Sequence, residues 1–426
     1  MAHINYAPQV SRRFADNLEN VMPLSMGACN FAAFGGTLEQ RIRTAVQAAA
    51  RYCGRCGIVV LINAPATGTD PLETAMVQLP RALPEDNCAG RAVTVRRMTN
   101  YSYDPLYGLD EETIERLLLP DYTAGSNQDN PLSAGLRAYL KIMRYRFERD
   151  PSAFGDYPFN LNLLRELAAM PDEILQRSVI NYLPTELAQE VRPILTKSDI
   201  PANVFSVVDR FGTMMRKYLW TPGRFGDHSC ISITQAVRDR QIICLRVPDS
   251  AGDLMRYVEA ELSNLTARGV PYLLIGSSLK LSNCAALQDR FLSEHPQQNY
   301  YTGILAESIF NAAETDILQN NLIGHHDQIL VFQCSGTAQA IPFSNNLGGY
   351  KHRQTTSSHA AHRRAFHILP TFTRGTQVAV TDERNIRPEE LTQIPRGVLL
   401  CGRLYPKPRL IRNFHMDGGV NHGILL

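Results

Sequence analysis

The sequence lacks several features that would place it in a membrane or outside the cell. It has no run of about 18 consecutive apolar residues, which is the length that a membrane-crossing helix needs. The opening residues, MAHINYAPQVSRRF, lack the apolar core of a secretory signal. The formal net charge is only +2, so the chain has no overall basic field of the kind that attracts nucleic acid. We therefore expect a cytoplasmic protein in which any contact with nucleic acid is local.

Cysteine patterns typical of disulfide frameworks and metal sites are absent as well. Nine cysteines are spread over 426 residues, and without an export signal we expect them to be reduced. Cys53 and Cys56 form a CxxC pair, but the pair closes a helix-like stretch and precedes the strand-like GIVVLI, the reverse of the order in redox motifs. No second CxxC follows, so we expect buried thiols here rather than a redox or metal site.

What the chain does contain is enough apolar sequence for more than one packed unit. Apolar residues make up 44% and charged residues 20%, as in soluble globular proteins, and the length predicts two or three units. Helix-like and strand-like segments alternate in the first quarter, with a helix near 37–52 and strands at 58–62 and 92–96. The alternation returns in later segments such as QIICLRVP and PYLLIG.

The alternation predicts an α/β fold in which a mainly parallel sheet is covered by helices on both faces. Between Asp129 and about residue 198 only helical spacing occurs, as in NPLSAGLRAYLKIMRYRFERD. We therefore predict an inserted all-helical domain at 129–198. Residues 1–128 and 199–426 would then be the two parts of one α/β domain.

The stretch GGYKHRQTTSSHAAHRRAFH, residues 348–367, is polar and basic. Lys351, Arg353, Arg363 and Arg364 are candidates for contact with nucleic-acid phosphates, although the composition favours a solvated loop. The four histidines of this stretch have no carboxylates among them and match no defined metal spacing. We predict no metal site.

A hydrolase is a further interpretation, because Asp227-His228-Ser229 places nucleophile and base types side by side and the GSS at 276–278 lies at a predicted strand end. The nucleophile elbow G-x-S-x-G is absent, and adjacent residues rarely form a triad because their side chains diverge. Turns rich in polar residues are the favoured interpretation.

Two segments carry a family resemblance. IRPEELTQIPRGVLLCGRLYPKPRLIRNF, residues 386–414, combines a helix start, a strand, a basic turn and a closing strand, and it resembles the C-terminal end of the TraG/TraD-like coupling proteins of type IV secretion and conjugation. NYSYDPL, residues 100–106, is similar to the aromatic-Asp-Pro turn that precedes the inserted helices of that family. The resemblance implies a RecA-like nucleotide-binding domain with an all-helical insertion.

The catalytic groups of that family are not found in this sequence. The family has a phosphate-binding loop, G-x-x-x-x-G-K-[ST], whereas this chain has no Gly-Lys dipeptide, and its stretch NFAAFGGTLEQ offers only Gly35, Gly36 and Thr37. Where family strands end in Asp-Glu, LLIGSSLKL has Gly276 and Ser277. The position of the family's glutamine falls on Ala306 and Glu307. The resemblance therefore implies a degenerate nucleotide site.

These losses predict a pseudo-ATPase that serves as a structural or adaptor subunit of a type IV secretion or conjugation apparatus. It would use no cofactor, and its partners would be proteins of the apparatus, with DNA as a second option. The expected location is the cytoplasm, and the resemblance adds peripheral attachment at the inner membrane as an option. The alternative function is an NTPase subunit of a translocating ring, completed by residues of a neighbouring chain.

Overall fold

The computed structural model describes residues 29–65, 68–83, 92–97, 102–119, 130–154, 157–196, 199–217, 230–248, 252–292, 299–347, 349–362, 371–384, 386–395, 397–404 and 408–411. The largest unit in these ranges is a nine-stranded sheet, accompanied by two two-stranded sheets. The strands are β1 (Phe31–Phe34), β2 (Gly57–Ile62), β3 (Val95–Arg97), β4 (Ser102–Tyr103), β5 (Cys230–Ile231), β6 (Ile242–Arg246), β7 (Tyr272–Ser277), β8 (Tyr300–Ala306), β9 (Gln328–Val331), β10 (Gly349–His362), β11 (Thr371–Arg384), β12 (Val398–Cys401) and β13 (Arg409–Ile411).

The large sheet combines strands from both ends of the chain. Its order is β13-β12-β9-β1-β8-β7-β2-β6-β3. Neighbouring strands from β9 to β3 are parallel, whereas β12 runs antiparallel to β9, and β13 runs antiparallel to β12. Strands that precede the predicted insertion therefore lie between strands that follow it.

The α-helices occupy the remaining regular segments. They are α1 (Leu38–Tyr52), α2 (Pro71–Ala82), α3 (Glu111–Leu118), α4 (Pro131–Arg149), α5 (Leu161–Ala169), α6 (Asp172–Ser178), α7 (Thr185–Leu195), α8 (Asp199–Lys217), α9 (Ile233–Arg238), α10 (Gly252–Ala267), α11 (Ala285–Leu292), α12 (Ile309–Ala312), α13 (Asp316–His325), α14 (Thr337–Asn346) and α15 (Pro388–Thr392). Short 3-10 turns lie at 151–153, 180–182 and 281–284. Among the helices in the described ranges, none has the length and apolar character that a membrane crossing requires.

Helices cover both faces of the large sheet. Because side chains alternate along a strand, Phe31 and Ala33 of β1 join a core that also contains residues of α1 and α2, whereas Ala32 and Phe34 join the larger core on the opposite face. The central strands are continuous apolar runs, as strands covered on both faces must be. The predicted α/β class, with a mainly parallel sheet and helices on both faces, is confirmed.

The stretch predicted as an all-helical insertion consists, within its described residues 130–154 and 157–196, of α-helices, 3-10 turns and their connections. Helix α4 packs against α5, α7 and α8. At Gly135 the neighbouring helix comes so close that a Cβ atom would lie 2.2 Å from Cγ2 of Ile200. The division of the chain into domains at 129 and 198 stays a prediction.

Residues 349–384 contain an antiparallel ribbon that the sequence reasoning missed. Strands β10 and β11 pair over 14 residues each, from Gly349 opposite Arg384 to His362 opposite Thr371. The solvated loop predicted at 348–367 is therefore wrong for residues 349–362. The sequence GYKHRQTTSSHAAH is polar on successive positions, so it lacks the alternation of apolar and polar residues that reveals a half-buried strand.

Candidate functional site

The loop between β1 and α1 is the candidate nucleotide-binding element. Gly35 and Gly36 have positive φ angles of 73° and 61°, a conformation that glycine adopts without the steric cost of a side chain. The loop is pressed against the residues that follow β9, since a Cβ atom on Gly35 would lie 2.7 Å from the carbonyl oxygen of Gln333. A Cβ atom on Gly36 would lie 2.6 Å from Cβ of Phe332. The loop therefore has no free space on this side.

The amide groups of this loop already have partners within the protein. The amide nitrogen of Gly35 donates to the carbonyl oxygen of Glu307 at 3.1 Å, and that of Gly36 donates to the carbonyl oxygen of Gln333 at 2.8 Å. A phosphate-binding loop works because its amide groups point at the ligand. Here the two glycine amides bond to residues at the ends of β8 and β9 instead.

Thr37, the third residue of the degenerate nucleotide site, is the N-cap of α1. Its Oγ1 accepts from the amide nitrogen of Gln40 at 3.2 Å, while Oε1 of Gln40 accepts from the amide nitrogen of Thr37 at 2.9 Å. This reciprocal capping box satisfies two amide groups at the start of the helix. The exposed Glu39 side chain forms an ion pair with Arg43 at 2.5 Å on the same turn.

Arg41 is the residue at this site that the sequence reasoning overlooked. Its Nη1 donates to the carbonyl oxygens of Gly35 and Gly36 at 2.8 and 2.9 Å, so the guanidinium group folds back over the loop. Burial lowers the pKa of Arg41 below its usual range, and the nearby Glu307 carboxylate opposes that effect. A basic residue one turn into the helix after the glycines is the only sequence feature that could have indicated this contact. The positive charge next to the loop therefore belongs to a guanidinium group that already donates hydrogen bonds to the carbonyl oxygens of the loop.

The end of β7 carries no acidic side chain. Gly276 is enclosed, since a Cβ atom there would lie 2.8 Å from Cδ1 of Leu279 and 3.1 Å from Cζ of Phe291. Ser277 is buried. The space beside Gly276 is therefore filled by apolar side chains.

Main-chain hydrogen bonds hold the ends of β2, β7 and β8 together. The carbonyl oxygen of Ser277 accepts from the amide nitrogen of Asn63 at 3.0 Å, and that of Ser278 accepts from Nδ2 of Asn63 at 3.0 Å. Ser278, with a φ of 55°, donates its amide to the carbonyl oxygen of Leu305 at 2.7 Å. These contacts give the GSS turn a structural role.

The sheet brings the two parts of the predicted nucleotide site, the loop after β1 and the end of β7, to one edge, at the carboxyl ends of its parallel strands. Strand β8 lies between β1 and β7, so the Gly35–Thr37 loop and the Gly276–Ser277 strand end lie two strands apart on this side of the sheet. Glu307, which follows β8, lies between them and is exposed. A carboxylate is thus present at this edge, although it does not lie on β7.

The aromatic-Asp-Pro motif has a clear structural function. Asp104 is fully buried, and its carboxylate accepts from the amide nitrogens of Leu106 and Leu161 at 2.9 and 2.8 Å. Leu161 is the first residue of α5, so Asp104 joins the motif to the helical block. Burial raises the pKa of Asp104 to about 7.

A second buried carboxyl group lies beside this motif. The Tyr103 hydroxyl donates to Glu261, whose Oε2 also accepts from the amide nitrogen of Thr234 at 2.7 Å. Burial raises the pKa of Glu261 to about 8, and the nearby Asp104 carboxylate contributes to that rise.

The other candidate residues lie in the β10–β11 ribbon or outside the described ranges. Lys351 and Arg353 lie on β10, opposite Asp382 and Val380 of β11. Arg363 and Arg364 lie outside the described residues, as do Asp227, His228 and Ser229.

The CxxC cysteines are buried free thiols. Burial raises the pKa of Cys56 to about 12, so the thiolate that redox chemistry and metal binding require is strongly disfavoured. Within the described ranges, no group of three or more histidine, cysteine or acidic residues is arranged to hold a metal ion.

No protein-family model matches the chain, and no curated protein matches it either. Among solved structures, an unbound monoclinic form of the bacterial conjugative coupling protein TrwBdeltaN70 aligns over 88% of this chain and 91% of its own, with 12% sequence identity and a TM-score of 0.33. At that identity and TM-score, the likeness assigns no activity and no partner to this chain.

Proposed function

We propose that the chain is a catalytically inactive structural or adaptor subunit of a type IV secretion or conjugation apparatus. The assignment to such an apparatus is supported by the resemblance in NYSYDPL and in residues 386–414. In this role the chain recruits substrate or partner proteins by binding them.

The closed loop at Gly35 and Gly36 is the observation that best supports the proposed lack of catalytic activity. Phosphoryl transfer needs amide groups and a fixed cation aimed at the phosphates, together with ligands for magnesium. Both glycine amides donate to strand-end carbonyls, and the Arg41 guanidinium binds the carbonyls of the loop itself. Gly276 and Ser277 add no carboxylate. The arrangement therefore supports a role in binding rather than hydrolysis.

An NTPase completed by a neighbouring chain is less well supported. A neighbour in a ring can supply an arginine finger, but the phosphate loop and its lysine act from within the subunit that binds the nucleotide. Opening this loop would break the hydrogen bonds of the Gly35 and Gly36 amide groups and both hydrogen bonds of Arg41 at once.

Crosslinking in cells that encode the chain tests the adaptor role. A tagged full-length copy, crosslinked in place, should co-purify with proteins of the secretion or conjugation apparatus, and an untagged copy is the control. A Thr37→Ala variant should recover the same partners in the same amounts, because the proposal gives the loop no part in assembly. Recovery of no apparatus protein would contradict the proposal.

A further inference from the structure

The helical block contains a cleft of about 390 Å³ at the end of α4. Its lining comes from the end of α4 and from two later segments, and it consists of Tyr145, Arg146, Arg149, Asp150, Phe154, Ser178, Val179, Tyr182 and Leu183. Phe154, Val179 and Leu183 provide apolar surface, while Arg146 and Arg149 provide positive charge. The volume falls within the range of about 300–1,000 Å³ that is usual for binding pockets.

The two arginines of the cleft differ from the other basic residues of α4. The earlier ones each pair with a carboxylate of a neighbouring helix: Arg137 with Glu115, Lys141 with Glu190, and Arg144 with Glu111. Arg146 and Arg149 form no ion pair with any residue in the described part of the chain. Asp150 also lines the cleft, and its carboxylate accepts from Oγ of Ser152 at 2.5 Å. Two guanidinium groups and one carboxylate leave the lining with a net charge of +1.

Large apolar side chains are exposed around the same cleft. Tyr182, in its lining, is 69% exposed. Ile174, four residues before Ser178 and so on the same face of α6, is 50% exposed. Tyrosine and arginine contribute disproportionately to binding energy at protein interfaces. The cleft thus combines an apolar floor, an exposed aromatic ring and two guanidinium groups that have no ion-pair partner among the described residues.

We propose that this cleft binds a peptide segment of a partner protein, in which an apolar side chain lies next to a single carboxylate. The apolar side chain fits the surface of Phe154, Val179 and Leu183, and a carboxylate complements Arg146 and Arg149. The inference rests on the adaptor role proposed above and specifies the chemistry of the partner.

The position of the cleft favours a peptide over a nucleotide. The last turn of a helix leaves carbonyl groups without intrahelical partners, and these can accept from the amide groups of a peptide. The same carbonyls and the Asp150 carboxylate disfavour every anion, and they disfavour the several negative charges of a polyphosphate more strongly than the one charge of a carboxylate. A net charge of +1 suits a single carboxylate better than a triphosphate.

Fluorescence polarisation with the full-length chain tests this inference. The probe is a fluorescein-labelled, C-terminally amidated peptide, Ser-Gly-Asn-Leu-Glu-Phe-Asn-Leu, which has one acidic residue between apolar residues, and the matched probe has glutamine in place of the glutamate. Relative to wild type, the Arg146→Gln/Arg149→Gln double variant should bind the acidic peptide about tenfold more weakly, as expected for the loss of two partly exposed ion pairs. Arg116→Gln, which removes an exposed charge from α3, is the control and should bind like wild type.

Tyr182→Ala gives a second and independent readout. Because the ring is exposed, its removal should leave the fold intact, which circular dichroism checks, and it should weaken peptide binding about fivefold or more. Equal binding of the acidic and neutral peptides would overturn the proposal, as would binding that both cleft variants leave unchanged. Cleft-dependent binding of a labelled ATP analogue in place of the peptide would identify a nucleotide site instead. None of these results bears on ATP hydrolysis, so the inference can fail while the inactivity of the chain stands.

Discussion

At the scale of single residues, Arg41 keeps the loop after β1 closed. Its guanidinium group is the donor for the carbonyl oxygens of Gly35 and Gly36. Arg41→Ala would leave a buried carbonyl without that donor, so we expect it to lower the free energy of unfolding by about 1–3 kcal/mol. Urea denaturation of the purified variant measures this loss.

Arg43→Ala is the matched control for that measurement. Arg43 lies two residues further along α1, and its ion pair with Glu39 is exposed. An exposed pair at this spacing is worth about 0.5 kcal/mol or less. Equal losses of stability in the two variants would show that Arg41 does not hold the loop.

The buried carboxyl groups of Asp104 and Glu261 predict a pH dependence of stability. Their pKa values are raised by burial to about 7 and about 8, from ordinary values of 3.8 and 4.5. Between the ordinary and raised values the folded chain binds more protons than the unfolded chain. The stability that these groups contribute is therefore fully present below about pH 4, and it is lost as the pH rises through about 7 to 8.

Substitution of either carboxyl group tests this account. Asp104→Asn and Glu261→Gln cannot titrate, so each should flatten the fall in the free energy of unfolding between about pH 5 and about pH 9. Urea denaturation across that range gives the slope, which is the readout even where the absolute stability drops. A slope identical to that of wild type in both variants would contradict the assignment.

The sequence predicted the residues of the candidate site but not their contacts. The absence of a lysine after Gly36 and of carboxylates at Gly276 and Ser277 can be read directly from the chain. The closure of the loop cannot be read from the sequence, because it depends on Gln333 and Glu307. These residues lie far along the chain and reach the loop only through strand pairing.

At the scale of secondary-structure elements, the close contact between α4 and α8 disfavours any residue larger than glycine at position 135. Alanine favours a helix over glycine by about 1 kcal/mol, but its methyl group at this position would overlap Ile200. Overpacking in a core typically costs about 1–3 kcal/mol, so we expect Gly135→Ala to lower the melting temperature.

Gly324→Ala is the control for that substitution. Gly324 is also helical, in α13, and its Cβ position has no atom within 4 Å. The helix preference of alanine should therefore raise the melting temperature in this variant. Stabilisation by both substitutions would show that α4 and α8 are less tightly packed than described.

The elements that the sequence predicted are those with a buried apolar run or helical spacing. The strand predicted at 58–62 and the helix predicted near 37–52 agree with β2 and α1 to within a residue. The β10–β11 ribbon was not predicted because β10 is polar on successive positions and so lacks the alternation of apolar and polar residues that indicates a half-buried strand.

At the scale of the whole molecule, the order of strands explains how the candidate site is assembled. Strand β1 comes early in the chain, yet its neighbours in the sheet are β8 and β9, which come after the helical block. The site at the carboxyl edge therefore depends on both flanks of that block. Alternating elements predicted a mainly parallel sheet, but this pairing order follows from packing that no local pattern encodes.

Steady-state phosphate release tests the central claim most directly, which is that this edge does not hydrolyse ATP. The assay uses the purified full-length chain with magnesium and saturating ATP, alone and with DNA. Because the loop amides and the Arg41 guanidinium are bonded within the protein, and Gly276 and Ser277 supply no carboxylate, we predict release at the background rate in both conditions. Turnover above background that Thr37→Ala abolishes would contradict the account and would favour the NTPase function.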